Sequence, residues 1–185
     1  MKIFVRNDFD VLLKNLGLDN GTYLEIGVWR GRFSRIIHSW NIHKKLYLLD
    51  PWRQLEGYRD AMNEKSNDEF EEIHQGVRAY FENDDSVEII RARSEDTIDK
   101  FQDGSFDFIY LDGDHSYEHA KMDIEAWVPK VKKGGVFAGH DYFNMENELG
   151  SFGVKRAIDE YIIGKPITLN ILIPEDASWY FVKEF

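Results

Sequence analysis

Short apolar runs of strand length alternate along the chain with longer stretches in which apolar positions recur at helical spacing. That alternation predicts a parallel sheet covered by helices. The runs are TYLEIG (22–27), KLYLLD (45–50), SVEIIRA (86–92), FDFIYLD (106–112) and GGVFAGHD (134–141), several of them apolar at consecutive positions, as a strand buried on both faces must be. Two later runs, ITLNILI and SWYFVKEF, are expected to pair through the IPEDAS turn as an antiparallel edge, which brings the strands to seven. Helices are expected near 7–16, over 31–40, over 94–101 with Ser94 as N-cap, over 116–128 ending before Pro129, and over 153–163. The stretch 53–82 is too long for one short crossover, and its charged composition predicts one or two helices inserted after the second strand, where a lid would sit. No repeat, low-complexity tract or linker marks a boundary, so residues 1–185 read as one domain.

Open parallel sheets bind ligands at the carboxyl ends of their strands. The chemistry-bearing residues fall there: Glu25 and Gly27 end the first strand, Asp50 ends the second, and Ser94 follows the third. Asp112, Asp114 and His115 follow the fourth, and His140 and Asp141 end the fifth. The segment YLEIGVWRGRFS sets Glu25, Gly27 and Gly31 in an E-x-G-x-x-x-G spacing, where glycine lets the backbone turn tightly and approach a ligand without a Cβ clash. This is not the G-x-G-x-x-G dinucleotide fingerprint. Alone it is equally a structural turn, and Arg30 and Arg32 read as surface charges. Asp50 adds weight, because an acid at the neighbouring strand tip can accept hydrogen bonds from both hydroxyls of a ribose. The competing role is a turn-forming Asp before Pro51.

Composition narrows the chemistry. With no cysteine in 185 residues, disulfides, thiolate catalysis and Cys-based zinc sites are excluded, and any metal must be held by oxygen or imidazole. The net charge of -11 disfavours a basic surface for nucleic acid. Much of the acid excess lies in NEKSNDEFEE and FENDDSVE, which read as a solvated helix face and its loop. No apolar run is long enough for a membrane helix, and MKIFVRNDFD lacks the apolar core of a secretory signal. A cytoplasmic protein with no membrane or nucleic-acid partner is expected; a homo-oligomer is compatible with this, and nothing in the sequence selects it.

Taken in order, the Glu25/Gly27/Gly31 turn, Asp50, FDFIYLDGDHSYE, and GGVFAGHDY followed by GVKRAIDEY resemble the class I S-adenosylmethionine-dependent methyltransferases. More narrowly they are similar to the small-molecule O-methyltransferases that include macrocin O-methyltransferase-like enzymes and, more distantly, catechol O-methyltransferase. The resemblance runs from about residue 20 to the end. It implies a Rossmann-like α/β fold, with a seven-stranded, mostly parallel sheet in the order 3-2-1-4-5-7-6, the last strand antiparallel, and helices on both faces. One departure is Trp29, which stands where a middle glycine is common in the first loop.

Carried over by position, the resemblance implies that Glu25 and the Gly27 backbone hold the methionine end of S-adenosylmethionine, with Gly31 completing the turn. Asp50 would take the ribose hydroxyls, Ser94 and Glu95 would lie near the adenine, Trp52 would cover its face, and Asp112 would border the cofactor. It further implies a Mg2+ ion held by Asp112, His140 and Asp141, with His140 in place of an oxygen ligand either shifting preference toward Mn2+ or contacting substrate. His115 is implied as the base that takes the proton of an acceptor hydroxyl, since imidazole has suitable basicity near neutral pH and a coordinated cation acidifies the same oxygen. The implied acceptor is a small hydroxylated molecule, with a sugar among the candidates.

Plainer roles compete for the same residues. Asp114 is expected to cap the following helix through backbone amides near Tyr117, and His115 and His140 could serve only as loop anchors. His38, His43, His74 and His119 read as surface or boundary residues. Tyr142 and Phe143 either line an acceptor pocket or pack beneath the loop, and Trp127 reads as core. Two other functions remain open at this point: a metallophosphoesterase, suggested by GDH and GHD but lacking an early Asp-x-His, and a non-catalytic S-adenosylmethionine-binding subunit.

Overall fold

A computed structural model describes residues 3, 5–148, 150–172 and 177–185. The strands are β1 (Gly21–Ile26), β2 (His43–Asp50), β3 (Val87–Arg91), β4 (Phe106–Leu111), β5 (Val131–Gly139), β6 (Met145–Asn147), β7 (Gly150–Phe152), β8 (Asn170–Ile171) and β9 (Trp179–Val182). Seven of them form one sheet in the order β3-β2-β1-β4-β5-β9-β8. Pairing is parallel from β3 to β5, and β9 runs antiparallel to both β5 and β8. Counted along the sheet alone, this is the expected order, third-second-first-fourth-fifth-seventh-sixth. Two details depart from expectation. β6 and β7 make a separate hairpin that no alternation announces, and among the described residues of ITLNILI the strand pairs are at Asn170 and Ile171. Residues 173–176 of the expected IPEDAS turn lie outside the described residues.

Successive strand residues point to opposite faces, and both faces are apolar. On one face Tyr23, Leu46, Leu48, Phe108 and Tyr110 pack against α1 (Phe9–Asn15), α2 (Arg32–Ser39) and α3 (Asn67–Phe81) through Phe9, Leu13, Phe33, Ile37, Val77 and Phe81. On the other, Leu24, Ile26, Leu49, Ile109, Leu111 and Phe137 meet α4 (Tyr117–Trp127) and α5 (Val154–Ile162) through Ala120, Ile124, Trp127, Ala157 and Ile158. Each fully buried aliphatic or aromatic side chain contributes roughly 1.5–3 kcal/mol. Burial on both faces is why the central runs carry no polar alternation.

Four expected helices form within a residue or two of their expected ends, α1 somewhat shorter. The expected helix over 94–101 does not. That stretch is a set of turns with a single 3-10 turn at Ile98–Lys100. Asp96 and Asp99 compete for local backbone groups and Thr97 and Ile98 are β-branched, so the segment has little helical preference. Ser94 caps nothing there, and its hydroxyl instead donates to Asp123 Oδ1 at 2.5 Å. Within 53–82, α3 starts at Ser66, whose side chain and that of Glu69 form a reciprocal capping box. The loop before it is stapled by the buried Asn63 amide, which accepts from Leu55 N and donates to Leu55 O and Tyr58 O, all at 2.7 Å.

Candidate active site

The parallel ladder runs one residue past the strands. Gly27 N donates to Leu49 O at 2.9 Å, Asp112 N to Ile26 O at 2.8 Å, and His140 N to Leu111 O at 3.0 Å. These bonds set the tips of β2, β1, β4 and β5 side by side on one rim. Gly27 has φ +87°, and a Cβ there would stand 1.9 Å from the Asp112 carbonyl oxygen. Only glycine lets the first and fourth tips close. Gly31 (φ +69°) does not face the cleft; its Cβ position lies 3.3 Å from Val77 Cγ2, so it serves the entry of α2 and its packing on α3. Trp29 takes the left-handed conformation, φ +51°, that glycine usually supplies. It is held there by its N–H, which donates to Asp50 Oδ2 at 2.9 Å, while the indole turns edge-on to Phe70 of α3 at 5.9 Å.

A cleft of about 600 Å3 opens at this rim, lined among others by Glu25, Gly27, Trp29, Asp50, Ser94, Glu95, Asp112 and His115. That volume suits a drug-sized ligand. Glu25 is 1% exposed and accepts from the Ser34 hydroxyl. Burial pushes its carboxyl well up, the Asp112 and Asp50 charges add to this, and Ser34 and Arg6 oppose it. A carboxyl so placed favours a ligand that brings positive charge. Asp50 accepts from Trp29 N and, through Oδ1, from Trp52 N at 2.7 Å. Burial raises its pKa against those hydrogen bonds, and a carboxylate has further lone pairs for a ligand hydroxyl.

Trp52 is not placed to cover a ligand. It is fully buried, its indole N–H donates to Trp29 O at 2.9 Å, and its ring lies 4.6 Å from that of His74. The backbone at Trp52 is left-handed, φ +40°, which turns the side chain under the loop. His74 is accordingly buried, not a surface histidine. Ser94 and Glu95 do face the cleft, and beside them is Asp123 of α4, 3% exposed. Burial raises the Asp123 pKa to about 7, Ser94 and Arg93 oppose this, and Glu95 and Asp114 add to it. Asp114 bonds Ser116 N at 2.9 Å and pairs with His119 at 3.2 Å, so it does brace the start of α4, one residue earlier than expected.

At the fourth and fifth tips, Asp112, His115 and Asp141 each bring one ligand atom to within 4.8 Å of the others. His115 Nε2 is 3.0 Å from Asp141 Oδ2 and 3.4 Å from Asp112 Oδ1. The expected metal set is Asp112, His140 and Asp141; the group within this distance has His115 as its third member, and His140 Nδ1 rests 3.3 Å from Asp141 Oδ2 beside it. Asp141 adopts φ +56°, which sends its carboxylate toward His115. Two carboxylates and an imidazole are a donor set that fits a divalent ion such as Mn2+, or Mg2+ through the two carboxylates. Without such an ion, burial works against charge on His115, yet the bonds to Asp112, Asp141 and Asp60 prevail and raise its pKa well above the ordinary value. Burial likewise works against the Asp141 anion, and its His115 and His140 contacts pull its pKa down.

Several contributors have no signature in the sequence. Tyr58 OH is 2.9 Å from His115 Nδ1 and donates to Asp60 Oδ2 at 3.2 Å, so both residues of the 53–82 stretch hold the imidazole from behind. Phe152 stacks on His115 with ring centroids 4.9 Å apart and planes 10° apart. Phe143 stacks on Phe152, and Tyr142 OH donates to Asp159, so both pack beneath the loop and neither lines the cleft. The β6–β7 hairpin is tied to the Tyr58 loop by the Asp60–Gly150 bridge and by Arg59, which bonds Glu146 at 2.6 Å. Arg6, from the N-terminal 3-10 turn Arg6–Asp8, reaches Asp112 Oδ2 at 3.7 Å. Each is a contact between segments remote in sequence.

A family model described as a methyltransferase domain matches residues 24–142. An uncharacterized protein of Sinorhizobium fredii is 32% identical over 62 residues, 34% of this chain but only 7% of that protein, so the matched region is a small part of the relative. Among solved structures, a putative caffeoyl-CoA O-methyltransferase from Staphylococcus aureus superposes with TM-score 0.64 at 19% identity, over 98% of this chain and 85% of that one. An O-methyltransferase from Bacillus cereus in complex with SAH gives 0.64 at 17% identity, over 96% and 80%. The O-methyltransferase NovP gives 0.63 at 22% identity, over 96% and 76%. At these identities the structural likeness speaks to the fold.

Proposed function

Because the chain belongs to the methyltransferase-domain family, we propose that it transfers the methyl group of S-adenosylmethionine to a hydroxyl of a small acceptor. The observation that carries this reading is the cleft in which the buried Glu25 and the half-buried Asp50 face the same space as His115. Glu25 would take the methionine ammonium, Asp50 the ribose hydroxyls, and Ser94 and Glu95 would flank the nucleobase. S-adenosylmethionine supplies an electrophilic methyl group on a sulfonium.

The acceptor oxygen attacks best as it loses its proton, and His115 is the group to receive it. In the neutral ring, an Nδ1–H directed to the Tyr58–Asp60 pair would leave Nε2, which faces Asp112 and Asp141, to take the proton. Those two carboxylates would stabilise the imidazolium that forms. They alone would also hold a Mg2+ or Mn2+ ion, with His115 Nε2 left off the metal to take the proton, and the ion's positive charge would acidify an acceptor hydroxyl. The neighbourhood of DGDHSYE and GHDY supports the narrower macrocin-like reading, with a sugar hydroxyl as one acceptor to test.

The experiment is a screen of hydroxylated acceptors with S-adenosylmethionine and Mg2+ or Mn2+, read by mass spectrometry. Release of S-adenosylhomocysteine together with an acceptor heavier by one methyl group is the expected result. A broad screen that never rises above background would replace this reading with that of a non-catalytic cofactor binder.

A further inference from the structure

We infer that the methyl acceptor carries a phosphate group, and that Arg30, Arg32 and Arg53 at the mouth of the cleft receive it. The inference rests on the reading of the cleft as a methyl-transfer site and names the class of molecule that site takes, a small hydroxylated phosphate ester.

Charge is sorted by depth in this cleft. Its acids, Glu25, Asp50, Glu95, Asp112, Asp114 and Asp123, are all buried or half-buried. Its exposed lining residues are Arg30, Arg32, Arg53 and Met62. The acids are engaged where they stand: Asp50 accepts from two backbone amides, Glu95 lies 2.5 Å from Arg93, and Asp123 accepts from Ser94. Among the described residues, the ion pairs bring no carboxylate to Arg30, Arg32 or Arg53, whereas Arg59, Arg91 and Arg156 each hold a glutamate. In a chain with 34 acidic against 23 basic side chains, a mouth of three arginines whose lining exposes no acid reverses the balance of the whole.

Positive charge at the mouth is anchored on one indole. The Arg30 guanidinium lies 5.7 Å from the centre of the Trp29 ring, and the Lys65 ammonium, which is also 3.6 Å from Glu69, lies 5.9 Å from the same ring. Trp29 is itself pinned by its N–H to Asp50 and by its edge-on contact with Phe70. Less side-chain freedom is therefore lost when an anion binds there.

This layering orients an acceptor. An anionic group is repelled by the carboxylates of the floor and attracted at the mouth, so a molecule with a hydroxyl at one end and an anion at the other enters hydroxyl first, toward His115 and Asp112. The guanidinium fork matches phosphate oxygens bidentately. Three such groups exceed what a single carboxylate would occupy, and a phosphate ester, with three terminal oxygens and up to two charges, uses them.

The test is calorimetric titration with pyrophosphate, as the probe anion in metal-free buffer, of the full chain saturated with S-adenosylhomocysteine. A variant carrying Arg30→Gln, Arg32→Gln and Arg53→Gln is titrated alongside. The wild type is expected to bind pyrophosphate, more tightly at low salt than at high salt. The triple variant should bind it at least about 10-fold more weakly, as three partly exposed charge contacts allow, with S-adenosylhomocysteine affinity within about threefold of the wild type. Arg78→Gln removes an exposed charge of α3 outside the cleft lining, and should match the wild type within about twofold. Pyrophosphate binding that is absent from the wild type, unchanged in the triple variant, or weakened as much by Arg78→Gln overturns the inference. A folded triple variant that loses S-adenosylhomocysteine in parallel overturns it too, because the arginines would then serve the cofactor. Should the triple variant fold poorly, Arg30→Gln and Arg53→Gln singly carry the same expectation at about threefold each. In an acceptor screen run as matched pairs with and without phosphate, the phosphate-bearing members should react with kcat/KM higher by about 10-fold or more; turnover that is equal within pairs or confined to the phosphate-free members overturns the inference. A wild type that does not bind S-adenosylhomocysteine overturns the methyl-transfer reading and this inference with it, and one that binds it without binding pyrophosphate overturns the inference alone.

Discussion

Replacing Asp123 with asparagine removes a cleft carboxyl whose titration burial moves into the physiological range. The side chain is 3% exposed, and burial lifts its pKa from the ordinary 3.8 to about 7. Between those values the folded protein holds a proton that the unfolded chain has released. The associated stability is therefore complete below about pH 4 and is lost as pH rises through about 7. At roughly 1.4 kcal/mol per pH unit, the gap amounts to at most about 4 kcal/mol. Asparagine has the same shape, can still accept from the Ser94 hydroxyl, and never ionises. Urea unfolding of both proteins between pH 4.5 and 8.5 should give similar free energies at the acid end. The variant should become the more stable by about 2–4 kcal/mol at the alkaline end. Glu95 and Asp114 push the transition upward, and Ser94 and Arg93 hold it down. A difference between the two proteins that is flat across that range would refute the reasoning, because it would mean that Asp123 is ionised throughout.

Three further substitutions separate the parts of the site. Gly27→Ala places a methyl group 1.9 Å from the Asp112 carbonyl at φ +87°, and should cost at least about 3 kcal/mol, or about 6–12 °C in melting temperature for a chain of this size; an unchanged melt would show that the tips are not closed as described. His115→Ala should lower turnover by about 10²- to 10⁴-fold while S-adenosylhomocysteine affinity stays within about threefold, and a loss confined to KM would remove it as proton acceptor. Asp141→Asn should raise the Mg2+ or Mn2+ concentration needed for half-maximal activity by about tenfold and spare cofactor affinity; parallel loss of both would argue against a distinct metal position.

The sheet and its functional rim are legible in the sequence because both rest on local signals. Apolar runs of five to eight residues fix the strands, and ligand chemistry in a parallel sheet gathers at their carboxyl ends. Glu25, Gly27, Asp50, Ser94, Glu95, Asp112 and His115 all reach the one cleft for that reason. Side-chain direction is where legibility stops. Trp52 follows Asp50 closely enough to suggest a cover for a ligand, but its left-handed backbone turns it into the core. At the fifth tip, Asp141 takes a left-handed backbone, and His115 lies with Asp112 and Asp141 in one group while His140 contacts Asp141 from beside it. Tyr58, Asp60, Phe152 and Arg6 act through contacts across the fold, and no spacing rule links Asp60 to Gly150 or Arg6 to Asp112. The expected helix at 94–101 failed for a different reason: Ser94 resembles an N-cap, but the residues after it have poor helical preference.

As proposed, one cleft at the strand tips holds S-adenosylmethionine with its reactive end toward His115. A crystal structure of the protein with S-adenosylhomocysteine tests it most directly. The nucleobase is expected beside Ser94, Glu95 and Asp123, the ribose hydroxyls on Asp50, and the amino group on Glu25. Density for the ligand elsewhere on the molecule, or a cleft that stays free of it at saturating concentration, would contradict the account.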